Sequence, residues 1–313
     1  MKIFYLCNKD YYINKMSRVR FESMEAISKS ADVIWSGNGW DNYNQSKTVD
    51  ENIKIIYGNN KPDIIVAYKP KNFVDFASVK IPKCIRYNEM WPVNEWTKEI
   101  INYGFDLVIA HHLNDIPKYD HIKDVTFTHV PHSAAADVYR DYGLPKAYDV
   151  LITGAMFSVH YPFRRRLLTL VNDKLSRLCS CKILGHPGSN LQNPKGAIGK
   201  GYAQELNKAK ITLTCSSKHK YRLGKYVEIP MCASILGADL PDQDQDDFND
   251  FMLVLNNRDS DEVIIQKVLS CLKDDEGRNQ RIKKGLEWSK NYTHKQYAER
   301  FLKSVEDFLG SKK

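Results

Sequence analysis

The chain has 313 residues, and its 46 Lys and Arg outnumber 38 Asp and Glu to give a formal charge of +8. Hydrophobic residues make up 42% and charged residues 27%, close to ordinary globular domains, which excludes wholesale disorder. No apolar run reaches the roughly 18 residues of a spanning helix, and the polar turn after Cys7 gives no secretory core. The seven cysteines are scattered, with only Cys179 and Cys181 close together, so a reducing, cytoplasmic setting without structural zinc is expected.

Met1–Cys7 reads as a strand, and Arg18–Lys29 as a helix with Phe21, Met24 and Ile27 on one face. Asp32–Trp35, Ile64–Tyr68, Lys83–Tyr87, Leu107–Ala110 and Val125–Val130 read as short strands, most of them apolar runs. Helical spacing separates several of them, at Val49–Tyr57 and Trp96–Tyr103. Short strands without polar alternation, interleaved with helices, predict a parallel sheet covered on both faces. The pattern restarts after the linker Pro131–Lys146, with strands at Asp149–Thr153, Ser180–Leu184, Ile211–Cys215 and Ile235–Leu236. Helices are expected at Phe163–Leu178, Tyr202–Ala209, Lys225–Cys232, Glu262–Leu272, Gly277–Tyr292 and His294–Leu309. Two Rossmann-like halves follow, residues 1–140 and 141–313, with ligands expected at the carboxyl ends of the strands and in a central cleft.

The charge is unevenly spread. Residues 160–228 hold 14 basic and 3 acidic residues, whereas 229–276 hold 3 basic and 12 acidic. A basic block followed at once by an acidic one favours a local anion site over a continuous nucleic-acid footprint. Three stretches in this half carry chemistry. In the first, a strand ends at Gly154, a loop holds Tyr161, and a helix opens at Pro162 with Arg164, Arg165 and Arg166 in its first turns. Helix-start amides and arginine forks both attract phosphate, although consecutive side chains diverge by about 100° and cannot all face one ligand. The second is Gly185-His186-Pro187-Gly188, a strand-end turn where glycine lets backbone approach a ligand. In the third, Tyr221, Arg222 and Lys225 precede Glu228 in an apolar helix. A carboxylate there needs a partner: either a ribose diol, with Arg222 and Lys225 meeting a diphosphate, or Lys225 itself as an i,i+3 pair.

On these residues the carboxyl half resembles GT-B glycosyltransferases, particularly the CgeB-type, spore-maturation-protein-like group 1 proteins. The resemblance is carried by Tyr202-Ala-Gln-Glu-Leu-Asn-Lys-Ala-Lys-Ile211, by Arg222 to Ser234, and by the terminal stretches from Arg281 and Tyr292. In the amino half it continues through Gly37-Asn-Gly39-Trp40, Lys61-Pro-Asp63 and the linker Val130 to Tyr139. It implies an α/β GT-B fold of two Rossmann-like domains, with the terminal helix crossing back to the first domain. It also implies transfer of a sugar from a nucleotide diphosphate sugar, such as a UDP- or GDP-sugar, to a hydroxyl of a glycan or glycoconjugate. No cofactor or metal is implied. The donor-site candidates are Gly154, Tyr161, Arg164, Arg165, Gly185, His186, Tyr221, Arg222, Lys225 and Glu228. One departure stands out: retaining members often space two glutamates as E-x7-E, and Lys220 stands where the first would be.

An inverting transferase needs a base near the acceptor hydroxyl. Glu89, His111 and Asp41 lie at expected strand ends, and Gly39, Trp40, Trp91 and His112 are candidates for the acceptor site. His111-His112 is also a nominal metal pair, but the sequence suggests no third ligand. Two further readings compete: a nucleotide-sugar epimerase on the same scaffold, and a non-catalytic nucleotide- or nucleic-acid-binding protein. Peripheral membrane contact is left open.

Overall fold

The computed structural model describes residues 1–13, 18–73, 75–157, 159–188 and 197–312, with the side chains of residues 12 and 18–21, Phe21 among them, outside the described set. It contains two compact units.

The first unit runs through β1 (Lys2–Leu6), α1 (Lys9–Ile13), α2 (Arg18–Glu25), β2 (Asp32–Ser36), α3 (Val49–Tyr57), β3 (Ile64–Ala67), β4 (Lys83–Tyr87), α4 (Val93–Tyr103), β5 (Leu107–Ala110) and β6 (Thr126–His129). The strands form one parallel sheet in the order β2-β1-β3-β4-β5-β6. Every residue of β3, β4 and β5 is buried, which is why β3 and β5 read as unbroken apolar runs, while β4 also buries Lys83 and Arg86. A capping box starts α3: the Thr48 side chain accepts from the Glu51 amide, while the Glu51 carboxylate accepts from the Thr48 amide, so two otherwise orphaned donors are satisfied.

The second unit holds β7 (Tyr148–Gly154), α5 (Pro162–Asp173), β8 (Cys181–Gly185), α6 (Gly199–Asn207), β9 (Ala209–Leu213), α7 (Lys225–Met231), β10 (Ile235–Ala238), α8 (Gln245–Phe251), β11 (Leu253–Val254), α9 (Asp261–Lys273) and α10 (Asp275–Ser289). Its parallel sheet has the order β11-β10-β9-β7-β8. β7 therefore lies between β8 and β9, a reversal of strand order that marks the carboxyl end of β7 as a ligand position.

The last helix, α11 (His294–Ser311), belongs to the first unit, which spans Met1–Pro131 and His294–Lys313, whereas the second spans His132–Thr293. The linker boundary therefore falls after Pro131 and not at 140, and α11 returns to the first unit as the resemblance implies. The reason is the apolar face of α11. Tyr297, Phe301, Val305 and Phe308 are buried in one cluster with Ile3, Tyr5, Ile64 and Leu107 of the first sheet, and each such side chain is worth about 1.5–3 kcal/mol on burial. α8 and β11 are not evident from the sequence, because the acidic run around them hides Phe248 and Phe251, both buried. No helix among the described residues is long and apolar enough to cross a membrane.

Candidate donor site in the second unit

β7 and β8 end side by side, with Gly154 opposite Gly185 in the ladder. Gly154 has φ +111°, and a Cβ built there would lie 2.8 Å from Lys225 Cε and 2.9 Å from Arg164 Nη1. Glycine suits this φ, and a side chain there would push on both cations. Two cations on different helices thus close over one strand end.

Arg164 comes from the first turn of α5, which opens on Pro162 at a position where proline's missing N–H costs nothing. Its side chain is 2% exposed. Nη1 donates to the Ala155 carbonyl at 3.0 Å and Nη2 to the Cys215 carbonyl at 3.3 Å, and the guanidinium lies 4.4 Å from the Tyr161 ring centroid. These contacts hold the positive charge at the ends of β7 and β9.

Lys225 and Glu228 stand in α7. Lys225 Nζ donates to Tyr202 Oη at 2.9 Å and approaches Glu228 Oε2 at 3.9 Å. The i,i+3 pair is therefore present, but it is long, and the closer partner is the tyrosine. Burial works to lower the Lys225 pKa, yet Tyr202 and Glu228 outweigh it and hold the ammonium above its ordinary range. Burial pushes the Glu228 carboxyl up, against Lys225. His186, after β8, is held below its ordinary range by burial, then by Lys225 and Arg164. Its Nδ1 accepts from the Gly188 amide at 3.1 Å, so the neutral ring carries its proton on Nε2 as a donor.

The three consecutive arginines part company as helix geometry requires. Arg165 is exposed, and Arg166 is bound to the Asp261 carboxylate and to the Asn257 and Asp259 carbonyls. Only Arg164 joins the cluster, so the expectation for Arg165 is corrected. Arg222 lies deeper still. Its side chain is fully buried, 3.3 Å from Asp244 Oδ2, and donates to the His132 carbonyl at 3.2 Å. Its guanidinium lies 4.2 Å from the Tyr292 ring centroid. This arginine ties the linker end to Tyr292, just after α10. Tyr221 is buried and stacks on His219.

One carboxylate here was not singled out from the sequence. Asp239, directly after β10 and 4% exposed, accepts from the Ser216 amide at 2.8 Å, the Ser216 hydroxyl at 2.6 Å and Lys220 Nζ at 2.7 Å. An acid immediately following an apolar strand was the available signal. Lys220 therefore does not stand as a bare base at the first E-x7-E position, because Asp239 supplies a carboxylate beside it.

In the first unit, Glu89 is exposed just past β4. The loop carrying it is fixed by buried Asp115, which accepts from the Met90 amide at 3.1 Å, and by Tyr119, whose hydroxyl donates to the Met90 carbonyl at 2.7 Å. His111 is 3% exposed, and its Nδ1 meets the Val130 carbonyl at 2.7 Å. A carbonyl only accepts, so Nδ1 carries a proton. His112 is buried, Trp91 exposed, and Asp41 and Gly39 exposed in the loop after β2. Trp40 is half-buried: it stacks on Trp35, and its Nε1 donates to the Cys7 carbonyl at 3.1 Å. That makes Trp40 a pin for its own loop.

The whole chain aligns with solved glycosyltransferase structures. Sucrose-phosphate synthase from Thermosynechococcus elongatus matches with a TM-score of 0.67 over 99% of this chain and 100% of that one, at 10% identity. The Anabaena protein HepE, solved with UDP-glucose, gives 0.64 over 99% and 100% at 11% identity. A glycosyltransferase from Rickettsia africae gives 0.60 over 98% of both chains at 11% identity. No protein-family model and no curated protein matches the chain. At such identities the likeness establishes the fold: α/β, with two parallel sheets, in the GT-B architecture that these enzymes share.

Proposed function

We propose that this protein is a glycosyltransferase that moves a sugar from a nucleotide diphosphate sugar to an acceptor hydroxyl on a glycan or glycoconjugate. The observation that carries this reading is the convergence of Arg164 and Lys225 over Gly154. Departure of a nucleoside diphosphate places negative charge on the leaving oxygens. Fixed cations in a partly dried site stabilise that charge most when they need no rearrangement to do so. Arg164 is held by two carbonyls, and Lys225 by Tyr202. His186 adds a neutral N–H donor at the end of β8. Glu228, on the same helix as Lys225, is the carboxylate for a ribose diol. In this reading the protein's own cations replace a metal ion, and no cofactor takes part. Structures of HepE with UDP-glucose and of pneumococcal GtfA with UDP support a uridine donor.

For the acceptor proton we assign Glu89. It is exposed at a strand end, whereas His111 is enclosed, and a base must reach the proton it removes. Thermal melting with UDP, GDP and a set of UDP-sugars tests the reading, since a ligand that binds only the folded state raises the melting temperature. Stabilisation by one nucleoside diphosphate, lost in Lys225→Met, is the expected result. A protein that melts identically with and without every nucleotide overturns it. Conversion of the donor sugar with no acceptor present would point to an epimerase instead.

A further inference from the structure

Cys179 and Cys181 stand at the entry to β8, and their sulfurs are 3.7 Å apart. Both are partly exposed thiols, whereas Cys7, Cys84, Cys215 and Cys232 are buried. The residue between them is anchored on β7. The Ser180 amide donates to Asp149 Oδ2 at 3.0 Å, and its carbonyl accepts from the Asp149 and Val150 amides at 2.9 and 3.0 Å. Burial raises both thiols, Cys181 to about 12, and their mutual hydrogen bond works to lower Cys179 but to raise Cys181. Cys179 is therefore the attacking sulfur and Cys181 the resolving one.

A disulfide is about 2.05 Å long, so closing the pair draws the sulfurs together by about 1.7 Å. The ring so formed spans only residues 179–181 and has to bend the chain at Ser180, against the hydrogen bonds that hold it to β7. β8 is an edge strand, paired with β7 alone, so a single ladder resists that pull. The same strand sets Gly185 opposite Gly154 and delivers His186 within the influence of Lys225 and Arg164. Strain applied at Cys181 is thus passed along β8 to His186. Strained disulfides are the readily reduced ones, which suits a bridge that opens again.

We propose that Cys179 and Cys181 form a reversible disulfide that loosens β8 and displaces His186, so that oxidation weakens nucleotide binding by the second unit. Weaker nucleotide binding rests on the transferase reading, whereas the bridge and the loosened strand do not. With glutathione disulfide as the oxidant, the Cys179 thiolate attacks one of its sulfurs and expels a glutathione thiolate. Cys181 then gives up its proton and attacks the Cys179 sulfur, expelling the second glutathione. Two protein thiols are oxidised, and one glutathione disulfide is reduced to two thiols.

The full chain is equilibrated in glutathione buffers of graded poise and its remaining thiols are alkylated. Trypsin releases residues 178–182 as one peptide with both cysteines. This peptide is expected to lose two hydrogens on oxidation and to regain them in dithiothreitol. Hydrogen exchange over residues 181–186 should quicken in the oxidised protein. UDP, read by calorimetry, should bind about tenfold more weakly, as for the loss of one hydrogen bond to a charged group. Cys179→Ser and Cys181→Ser should respond to the oxidant in neither readout. A peptide that keeps both thiols at every poise overturns the inference, as does a bridge that leaves exchange over 181–186 unchanged, or a parent-like response in both serine variants. A bridge that quickens exchange while UDP binds as before overturns the control of nucleotide binding. Faster exchange in a protein that binds no nucleotide even when reduced keeps the bridge and the loosened strand and removes the transferase reading.

Discussion

Gly154→Ala is the most informative single substitution in the second unit. Alanine at φ +111° costs about 1–3 kcal/mol of backbone strain, and its Cβ would sit 2.8 Å from Lys225 Cε and 2.9 Å from Arg164 Nη1. Arg164 is fixed by two carbonyls, so Lys225 is the side chain that yields. For a unit of about 160 residues each kcal/mol lowers the melting temperature by about 2–4 °C. Displacing one charged donor from a diphosphate, at about 1.5–3 kcal/mol, weakens UDP by about 10- to 150-fold. The control is Gly143→Ala. That residue also has positive φ, +63°, but nothing lies within 4 Å of a Cβ there. It should lose about 1–2 kcal/mol of stability from conformation alone and bind UDP like the parent. Titration calorimetry with UDP and melting curves on both variants separate strain from displacement. If Gly154→Ala binds UDP as well as Gly143→Ala does, the two cations do not act at this strand end and the site assignment fails.

Three further outcomes follow from the same geometry. Arg222→Ala should cost about 2–4 kcal/mol through the space left by a fully buried side chain packed on Trp288 and Tyr292, while the protein that remains folded binds UDP normally; a selective loss of UDP binding would support the diphosphate role read from the sequence. His186 has a lowered pKa in the free protein, and a diphosphate raises it. Between those two values binding takes up a proton, so UDP should tighten as pH falls through that window. Calorimetry in buffers of different ionisation heat detects the uptake, and His186→Ala should abolish it. Glu89→Gln should lower kcat by about 10²–10⁴-fold, the usual contribution of a general base, without changing UDP affinity; a parent-like kcat moves the base elsewhere.

The amino-acid sequence alone determined the alternation of elements, and with it the fold. Runs such as Ile64–Tyr68 and Leu107–Ala110 are apolar on both faces, and only a parallel sheet covered by helices uses such strands. It also determined that positive charge concentrates in residues 160–228, and that Arg164, Lys225 and Glu228 belong to helix starts beside strand ends. What it could not decide was which members of a cluster share a point in space. Arg164, Arg165 and Arg166 are equivalent as text, yet a step of about 100° per residue sends one to the strand ends, one to solvent and one to Asp261. Arg222 and Lys225 are three residues apart, but Arg222 precedes α7 and turns into the aromatic enclosure of Trp288 and Tyr292. Asp239 meets Lys220 across nineteen positions. Tertiary structure decided each of these because charge and burial act through distance in space, and sequence separation fixes that distance only within a turn or two of the same element.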